Sequence, residues 1–273
     1  MDPTEVVILC GGRGTRLGAE TEILPKPLVE VGGRPILWHI MSHYAQYDLT
    51  RFVLCLGYRG EKIRDYFLNY RAHQNDFTLR LNHDDPRLDF HLTDVVDWEV
   101  TCADTGLDTP TGARISRIQR YITSPYFLCT YGDGVSDVDL RALIAFHLDH
   151  GRIATVTGVV PAARWGELVI ADDSSVSWFA EKPTLGPRAG AGYVNGGFFV
   201  FSREIFDYLD DRDDCVLEGR PLQALAQAGE LMIYRHDGFW QCMDVPKDRD
   251  MLHEHFSRQD RAMPTRHRVP LAR

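Results

Sequence analysis

The sequence predicts an α/β fold with a mainly parallel, partly mixed central sheet flanked by helices on both faces. Three observations carry this expectation. Short apolar runs such as Val6–Leu9 and Phe52–Leu56 alternate with longer helical patterns, as in β-α-β units. The first run passes directly into a glycine-rich turn, Cys10-Gly11-Gly12-Arg13-Gly14, which places open backbone just after a buried strand. After Val160 the alternation gives way to short strands broken by turns, which makes the sheet mixed.

The elements follow in order. Strands are expected at Val6–Leu9, Phe52–Leu56, Val100–Ala103, Tyr126–Tyr131 and Ile153–Val159, each a short, mostly apolar run. Helices are expected at Ile36–Tyr47, Glu61–Tyr70, Gly112–Tyr121 and Asp137–His150, with Asp137 or Asp139 capping the last. Phe77–Leu81 and Phe90–Leu92 read as an inserted hairpin turning at Asp84-Asp85-Pro86. Beyond Val160, strands are expected at Gly166–Ile170, Val176–Ala180, Tyr193–Phe201, Leu231–His236 and Trp240–Met243, then a closing outer helix at Lys247–Arg258. Gly186–Gly192 reads as a mobile loop.

Composition bounds the answer. With 273 residues, 44% hydrophobic and 25% charged, the chain can bury one large core, or a core plus a lobe. No run of about 18 apolar residues exists, so no membrane helix is expected. The acidic start, Met1–Glu5, leads straight into the first strand and does not read as a signal peptide. Six cysteines without a C-x-x-C pair are expected as buried free thiols in a reducing cytoplasm, and no Cys/His spacing fits zinc. A net charge of −9 argues against nucleic acid as a partner, whereas a small phosphate ligand needs only local positive charge. The tail Arg261–Arg273 carries four arginines and no acid, and is expected to be frayed.

The stretch Gly11-Gly12-Arg13-Gly14-Thr15-Arg16-Leu17 followed by Pro25-Lys26-Pro27 carries the chemistry. Bare N–H groups approach an anion closely, and Arg16 and Lys26 add positive charge for phosphate oxygens. The dinucleotide fingerprint fails, because Leu17 stands where its third glycine belongs, and no G-K-[ST] exists for an ATPase P-loop. Prolines on both sides of Lys26 are expected to hold its backbone extended. Tyr131-Gly132-Asp133-Gly134 closes an apolar strand, and a carboxylate between two glycines there suits a hard cation bridging phosphates. Asp244 is the candidate partner carboxylate, and a helix N-cap is its competing role. Glu181-Lys182-Pro183 offers a hydroxyl acceptor beside a phosphate cation, and Asn195-Gly196-Gly197 can donate to and accept from sugar hydroxyls.

Together and in this order, these motifs, with Gly32-Gly33-Arg34-Pro35-Ile36-Leu37 and Trp240-Gln241-Cys242-Met243-Asp244, resemble the sugar-1-phosphate nucleotidyltransferases. The resemblance runs from about Glu5 to Arg258. Asp104–Arg114 and His236–Trp240 look most like the branch acting on CTP and glucose 1-phosphate. It implies a Rossmann-like nucleotidyltransferase fold in residues 1–260, with a nucleotide-binding part at about 1–160 and a smaller sugar-phosphate-binding part at about 161–260. It implies that Gly11, Gly12, Gly14 and Thr15 hold the nucleotide, that Arg16 grips the β- and γ-phosphates, and that Lys26 lies between the α-phosphate and the incoming sugar phosphate. Arg114, with the Thr111-Gly112 backbone, would contact the base. Tyr131, Glu181, Lys182, Asn195 and Gly196 would line the sugar-phosphate pocket. Asp133 and Asp244 would bind Mg²⁺. It further implies a cytoplasmic homo-oligomer.

Three features depart from that pattern: a longer segment between Pro183 and Asn195, Trp165-Gly166-Glu167, and Ala113 where glycine is usual beside Arg114. They bear on the choice of sugar and base. The competing reading is the same chemistry with dTTP or UTP, or with another sugar phosphate. A non-catalytic sensor on the same fold would have lost Lys26, Asp133 or Asp244, and all three are present.

Overall fold

The first strand, β1 (Glu5–Cys10), is buried along its whole length, and alternate residues serve two separate cores. Val6 and Ile8 face one layer of helices, and Val7 and Leu9 face the other. A period of two on a strand covered on both sides turns a continuous apolar run into two hydrophobic faces. The computed structural model describes residues 4–18, 20–81, 87–91, 96–161, 167–170, 175–180 and 192–262. The expected turn at Asp84–Pro86, residues Trp165, Glu181 and Lys182, nearly all of the 186–192 loop and the tail beyond residue 262 lie outside the described residues.

The chain continues through α1 (Glu20–Ile23), the short strands β2 (Glu30–Val31) and β3 (Arg34–Pro35), and α2 (Ile36–Ala45). Next come β4 (Arg51–Leu56), α3 (Gly60–Leu68), α4 (Tyr70–Gln74), the pair β5 (Phe77–Arg80) and β6 (Arg87–Phe90), β7 (Glu99–Asp104) and α5 (Thr111–Arg117). Then follow β8 (Tyr126–Tyr131), β9 (Gly134–Ser136), α6 (Leu140–His150), β10 (Ala154–Val159), β11 (Glu167–Ile170) and β12 (Val176–Ala180). The last elements are β13 (Val194–Ser202), α7 (Arg220–Gln227), β14 (Leu231–His236), β15 (Trp240–Cys242) and α8 (Pro246–Ala262).

Seven strands form the central sheet in the order β14-β10-β13-β8-β1-β4-β7. β1 pairs in parallel with β4 and β8, β4 with β7, and β10 with β14, while β13 runs antiparallel to both β8 and β10. The sheet is therefore mixed, and β13 and β14, from the second part of the chain, belong to it. β11 and β12 pair antiparallel outside it, and β15 pairs with β9 near the carboxyl end of β8. Helices α2, α6 and α8 cover one face through Ile40, Met41, Leu143 and Leu252, and α5 and α7 cover the other through Ile115 and Leu225.

Several expected boundaries shift for identifiable reasons. The 61–70 helix ends at Leu68, with a second short helix starting at Tyr70. The 112–121 helix stops at Arg117 and tightens into a 3₁₀ turn over Gln119–Tyr121. Helix α6 starts at Leu140 because the Asp139 carboxylate accepts the Ala142 N–H at 3.0 Å, an N-cap that settles the choice between Asp137 and Asp139. The second hairpin strand lies at Arg87–Phe90, so that Phe77 pairs with Phe90. Helix α7 is not expected from the sequence, whose apolar stripe there reduces to Leu222 and Leu225. All six cysteines are free thiols, four of them buried. Among the described residues no helix is long and apolar enough to cross a membrane.

Candidate active site

The carboxyl ends of β1 and β8 open into one cleft of about 650 Å³. Neighbouring parallel strands deliver their C-terminal loops to the same edge of the sheet, so the glycine loop after β1 meets the Gly-Asp-Gly turn after β8. Gly11, Gly12, Gly14, Thr15, Arg16, Lys26, Thr111, Arg114, Tyr131, Asp133, Asn195, Gly196 and Asp244 all line it. Gly112 sits behind the wall, where a Cβ would lie 2.7 Å from the Cys215 carbonyl oxygen. Glu181 and Lys182 lie outside the described residues.

The glycine loop is shaped by what surrounds it. Gly14 adopts φ +64°, a left-handed conformation that costs L-residues, and starts a 3₁₀ turn over Thr15–Leu17. A Cβ on Gly11 would lie 2.1 Å from the Arg114 guanidinium carbon, so that position has room only for glycine.

At the floor of the cleft Lys26 is almost fully buried, and its Nζ donates to Asp133 Oδ2 at 2.6 Å and to Asp244 Oδ1 at 3.0 Å. Its backbone is not extended: Lys26–Leu28 form a 3₁₀ turn, closed by the Leu28 N–H on the Pro25 carbonyl at 2.9 Å. Pro25 is the extended residue, and Pro27 needs no N–H partner inside so short a turn. Burial pulls the lysine toward its neutral form, but the two carboxylates outweigh burial and raise its pKa. For Asp244 burial pushes the pKa up, and Lys26 and Arg16 overcome that and hold it below the usual range. Arg16 Nη1 donates to Asp244 Oδ2 at 3.0 Å from the exposed rim.

Asp244 does not cap helix α8. The Asp248 carboxylate does so instead, accepting the Asp244 N–H at 2.9 Å and the Val245 N–H at 3.0 Å. The Asp244 carboxylate is thereby left to the cleft.

Arg114 is buried and committed to the protein. Its Nη1 donates to the carbonyls of Leu56 and Gly106 and to Thr105 Oγ1, and its Nη2 to the carbonyls of Gly11 and Leu107. The guanidinium thus ties the glycine loop to the 105–107 loop, and burial lowers its pKa. The cation that faces outward beside it is Arg13, which donates to Asp108 Oδ1 at 2.8 Å.

On the far side, Asn195 Nδ2 donates to the Tyr131 hydroxyl at 3.3 Å, and Trp240 Nε1 donates to the Gly196 carbonyl at 2.7 Å. The Tyr131 hydroxyl donates to Glu218, which also accepts from Thr111 Oγ1 at 2.7 Å. Arg13, Trp240 and Glu218 are contributors that sequence reasoning missed. Trp240 stood inside a recognised motif, and Arg13 between two recognised glycines. Glu218 carried no signal, being one glutamate just before a helix that was itself not expected.

The cleft therefore gathers a glycine-rich N–H loop, the buried ammonium of Lys26 and the exposed guanidinium of Arg16 on a shared carboxylate, and two carboxylates at the end of a parallel sheet. Such a set is suited to holding phosphates and a hard cation together.

Comparison with known proteins gives the family. A family model described as Nucleotidyl transferase matches residues 5–245. The glucose-1-phosphate cytidylyltransferase of Salmonella typhi is 44% identical over 249 residues, covering 91% of this chain and 94% of its own length. That of Salmonella typhimurium matches at the same identity and coverage. Among solved structures, HddC from Yersinia pseudotuberculosis superimposes with a TM-score of 0.66 at 24% identity, over 93% of this chain and 99% of that one, a likeness of fold. On a match that spans both chains almost end to end, this chain belongs to the nucleotidyl transferase family and, within it, to the glucose-1-phosphate cytidylyltransferases.

Proposed function

We infer that this chain transfers the cytidylyl group of CTP to glucose 1-phosphate, releasing CDP-glucose and pyrophosphate. The observation that carries the reading is the single ammonium of Lys26 held between Asp133 and Asp244 on the cleft floor, between the glycine loop and the Tyr131–Asn195 wall.

The reaction needs no general base. The second ionisation of a phosphate monoester lies near pH ~6, so the attacking oxygen is already mostly charged at neutrality. That oxygen forms a new bond to the α-phosphorus, the bond to the bridging oxygen of pyrophosphate breaks, and pyrophosphate leaves with the electron pair. The obstacle is repulsion between two polyanions. Lys26, kept protonated by its two partners, supplies charge where the phosphates meet, and Arg16 supplies it from the rim. The backbone of Gly11, Gly12 and Gly14 holds the nucleotide, and alignment of the two reactants is worth up to about 7–11 kcal/mol.

Asp133 and Asp244 fit Mg²⁺, since their carboxylates converge on one Nζ and offer oxygen donors alone. When bound there, Mg²⁺ supplies further neutralisation of the triphosphate charge. Among the described residues no group of three or more His, Cys, Asp or Glu side chains converges, so further ligands would come from phosphates and water. Association into a homo-oligomer is part of the same reading, to be tested by light scattering.

The test is pyrophosphate release with Mg²⁺, crossing CTP, UTP, dTTP, ATP and GTP against a panel of hexose 1-phosphates. Turnover confined to CTP with glucose 1-phosphate is expected. A different preferred pair would overturn the substrate assignment while keeping the chemistry.

A further inference from the structure

We infer that Glu218 is a positioning residue that sets the hydrogen-bonding sense of Tyr131 and Asn195 on the sugar-phosphate side of the cleft. The inference rests on the proposed function for the identity of the ligand, and on the hydrogen-bond chain for the direction of each bond.

Glu218 reaches the cleft from behind. Its segment packs on the start of α5, where the Ala113 N–H donates to the Cys215 carbonyl at 3.0 Å and the Leu217 N–H donates to Thr111 Oγ1 at 2.9 Å. From there one carboxylate oxygen takes the Thr111 hydroxyl at 2.7 Å and the other takes the Tyr131 hydroxyl. Thr111 belongs to the wall beside the glycine loop, and Tyr131 to the end of β8 facing Asn195.

A carboxylate offers only acceptors, so both hydroxyls point their protons at it. The remaining directions then follow. The Tyr131 oxygen accepts from Asn195 Nδ2 at 3.3 Å. Asn195 Oδ1 accepts the Gly197 N–H at 2.8 Å, which orients the amide. Donors run toward Glu218 from both walls without a reversal. Tyr131 is left to present one lone pair to the cleft, and Asn195 a spare N–H. A sugar hydroxyl meeting this wall encounters an acceptor and a donor in assigned places. A glutamine at 218 would add donors of its own and allow the chain to run either way.

The experiment compares wild type with Glu218→Gln, Glu218→Asp, Tyr131→Phe and Glu218→Gln/Tyr131→Phe in steady-state turnover, varying CTP and glucose 1-phosphate separately. Glu218→Gln is expected to raise KM for glucose 1-phosphate about tenfold, with KM for CTP changing less than about threefold. Tyr131→Phe on top of Glu218→Gln is expected to add little, because the two act through one chain. Glu218→Asp, too short to reach both hydroxyls, should resemble the glutamine variant. An independent readout is the Tyr131 ¹³Cζ resonance at pH 7 in tyrosine-labelled protein, assigned with Tyr131→Phe. It should shift in Glu218→Gln while the other tyrosine signals and the melting temperature stay in place. Additive effects on KM, or an unmoved Tyr131 signal, would overturn the inference. Loss of all structure in Glu218→Gln would overturn it too, by making the residue a scaffold. The expected Tyr131 shift in Glu218→Gln, together with a wild type that turns over no CTP with glucose 1-phosphate, would overturn the substrate assignment instead.

Discussion

Lys26 and Asp133 stand 107 positions apart and meet at 2.6 Å between Nζ and Oδ2, making one centre of two motifs. Asp244 joins them from the far end of the chain at 3.0 Å.

Removing the lysine charge should act on turnover before it acts on folding. Lys26→Met keeps the length of the stem and loses the ammonium. A fall in kcat of about 100- to 1000-fold is expected, the range seen when one charge-stabilising donor is lost. Steady-state kinetics with a thermal melt would check it. A kcat within threefold of wild type would place the transition-state charge elsewhere.

Asp133→Asn and Asp244→Asn probe the metal. Each should cut Mg²⁺-dependent turnover at least about 100-fold and raise the Mg²⁺ concentration needed for half-maximal rate. Circular dichroism should remain that of wild type. An unchanged Mg²⁺ dependence in Asp133→Asn would remove that residue from the metal site.

Arg114 carries a double expectation. Its five hydrogen bonds join two loops, so Arg114→Ala should lose at least about 2 kcal/mol of stability in urea melts. Because those loops frame the glycine-loop end of the cleft, KM for CTP should rise far more than KM for glucose 1-phosphate. Arg114→Lys should not rescue either, since an ammonium cannot span the forked set of acceptors. Equal effects on both substrates would take Arg114 out of the nucleotide side.

His147 should make the fold sensitive to acid. Carried on the buried face of α6, its ring bonds Thr155 Oγ1 at 2.9 Å and Ser202 Oγ at 3.1 Å. Burial, then the neighbouring His150, lowers its pKa from 6.5 to about 4. Between these values the unfolded chain holds a proton that the folded chain refuses. Stability from this residue is therefore present above pH 6.5 and is lost as the pH falls toward 4, by about 1.4 kcal/mol per unit and about 3 kcal/mol in all. Urea melts from pH 4 to 7 on wild type and His147→Gln would show it as a shallower slope in the variant. Parallel slopes would contradict the assignment.

The α/β class, most strands and the cytidylyltransferase resemblance are legible in the sequence, and so are Gly11, Gly12, Gly14, Thr15, Arg16, Lys26, Asp133, Asn195 and Asp244, which the structure brings to one cleft. Each of these is written in neighbouring residues: a strand in a few apolar side chains, a bare-backbone loop in adjacent glycines, an exposed carboxylate in Gly-Asp-Gly. Three other features arise from packing in the folded chain. Asp248 rather than Asp244 caps α8, Arg114 holds two loops through their carbonyls, and Glu218 links Thr111 to Tyr131. The physical reason is that a hydrogen bond depends on a few tenths of an ångström and on direction, and its partners here lie up to about a hundred positions apart. Local pattern states which chemistry a residue can perform, and packing between distant segments selects which partner receives it.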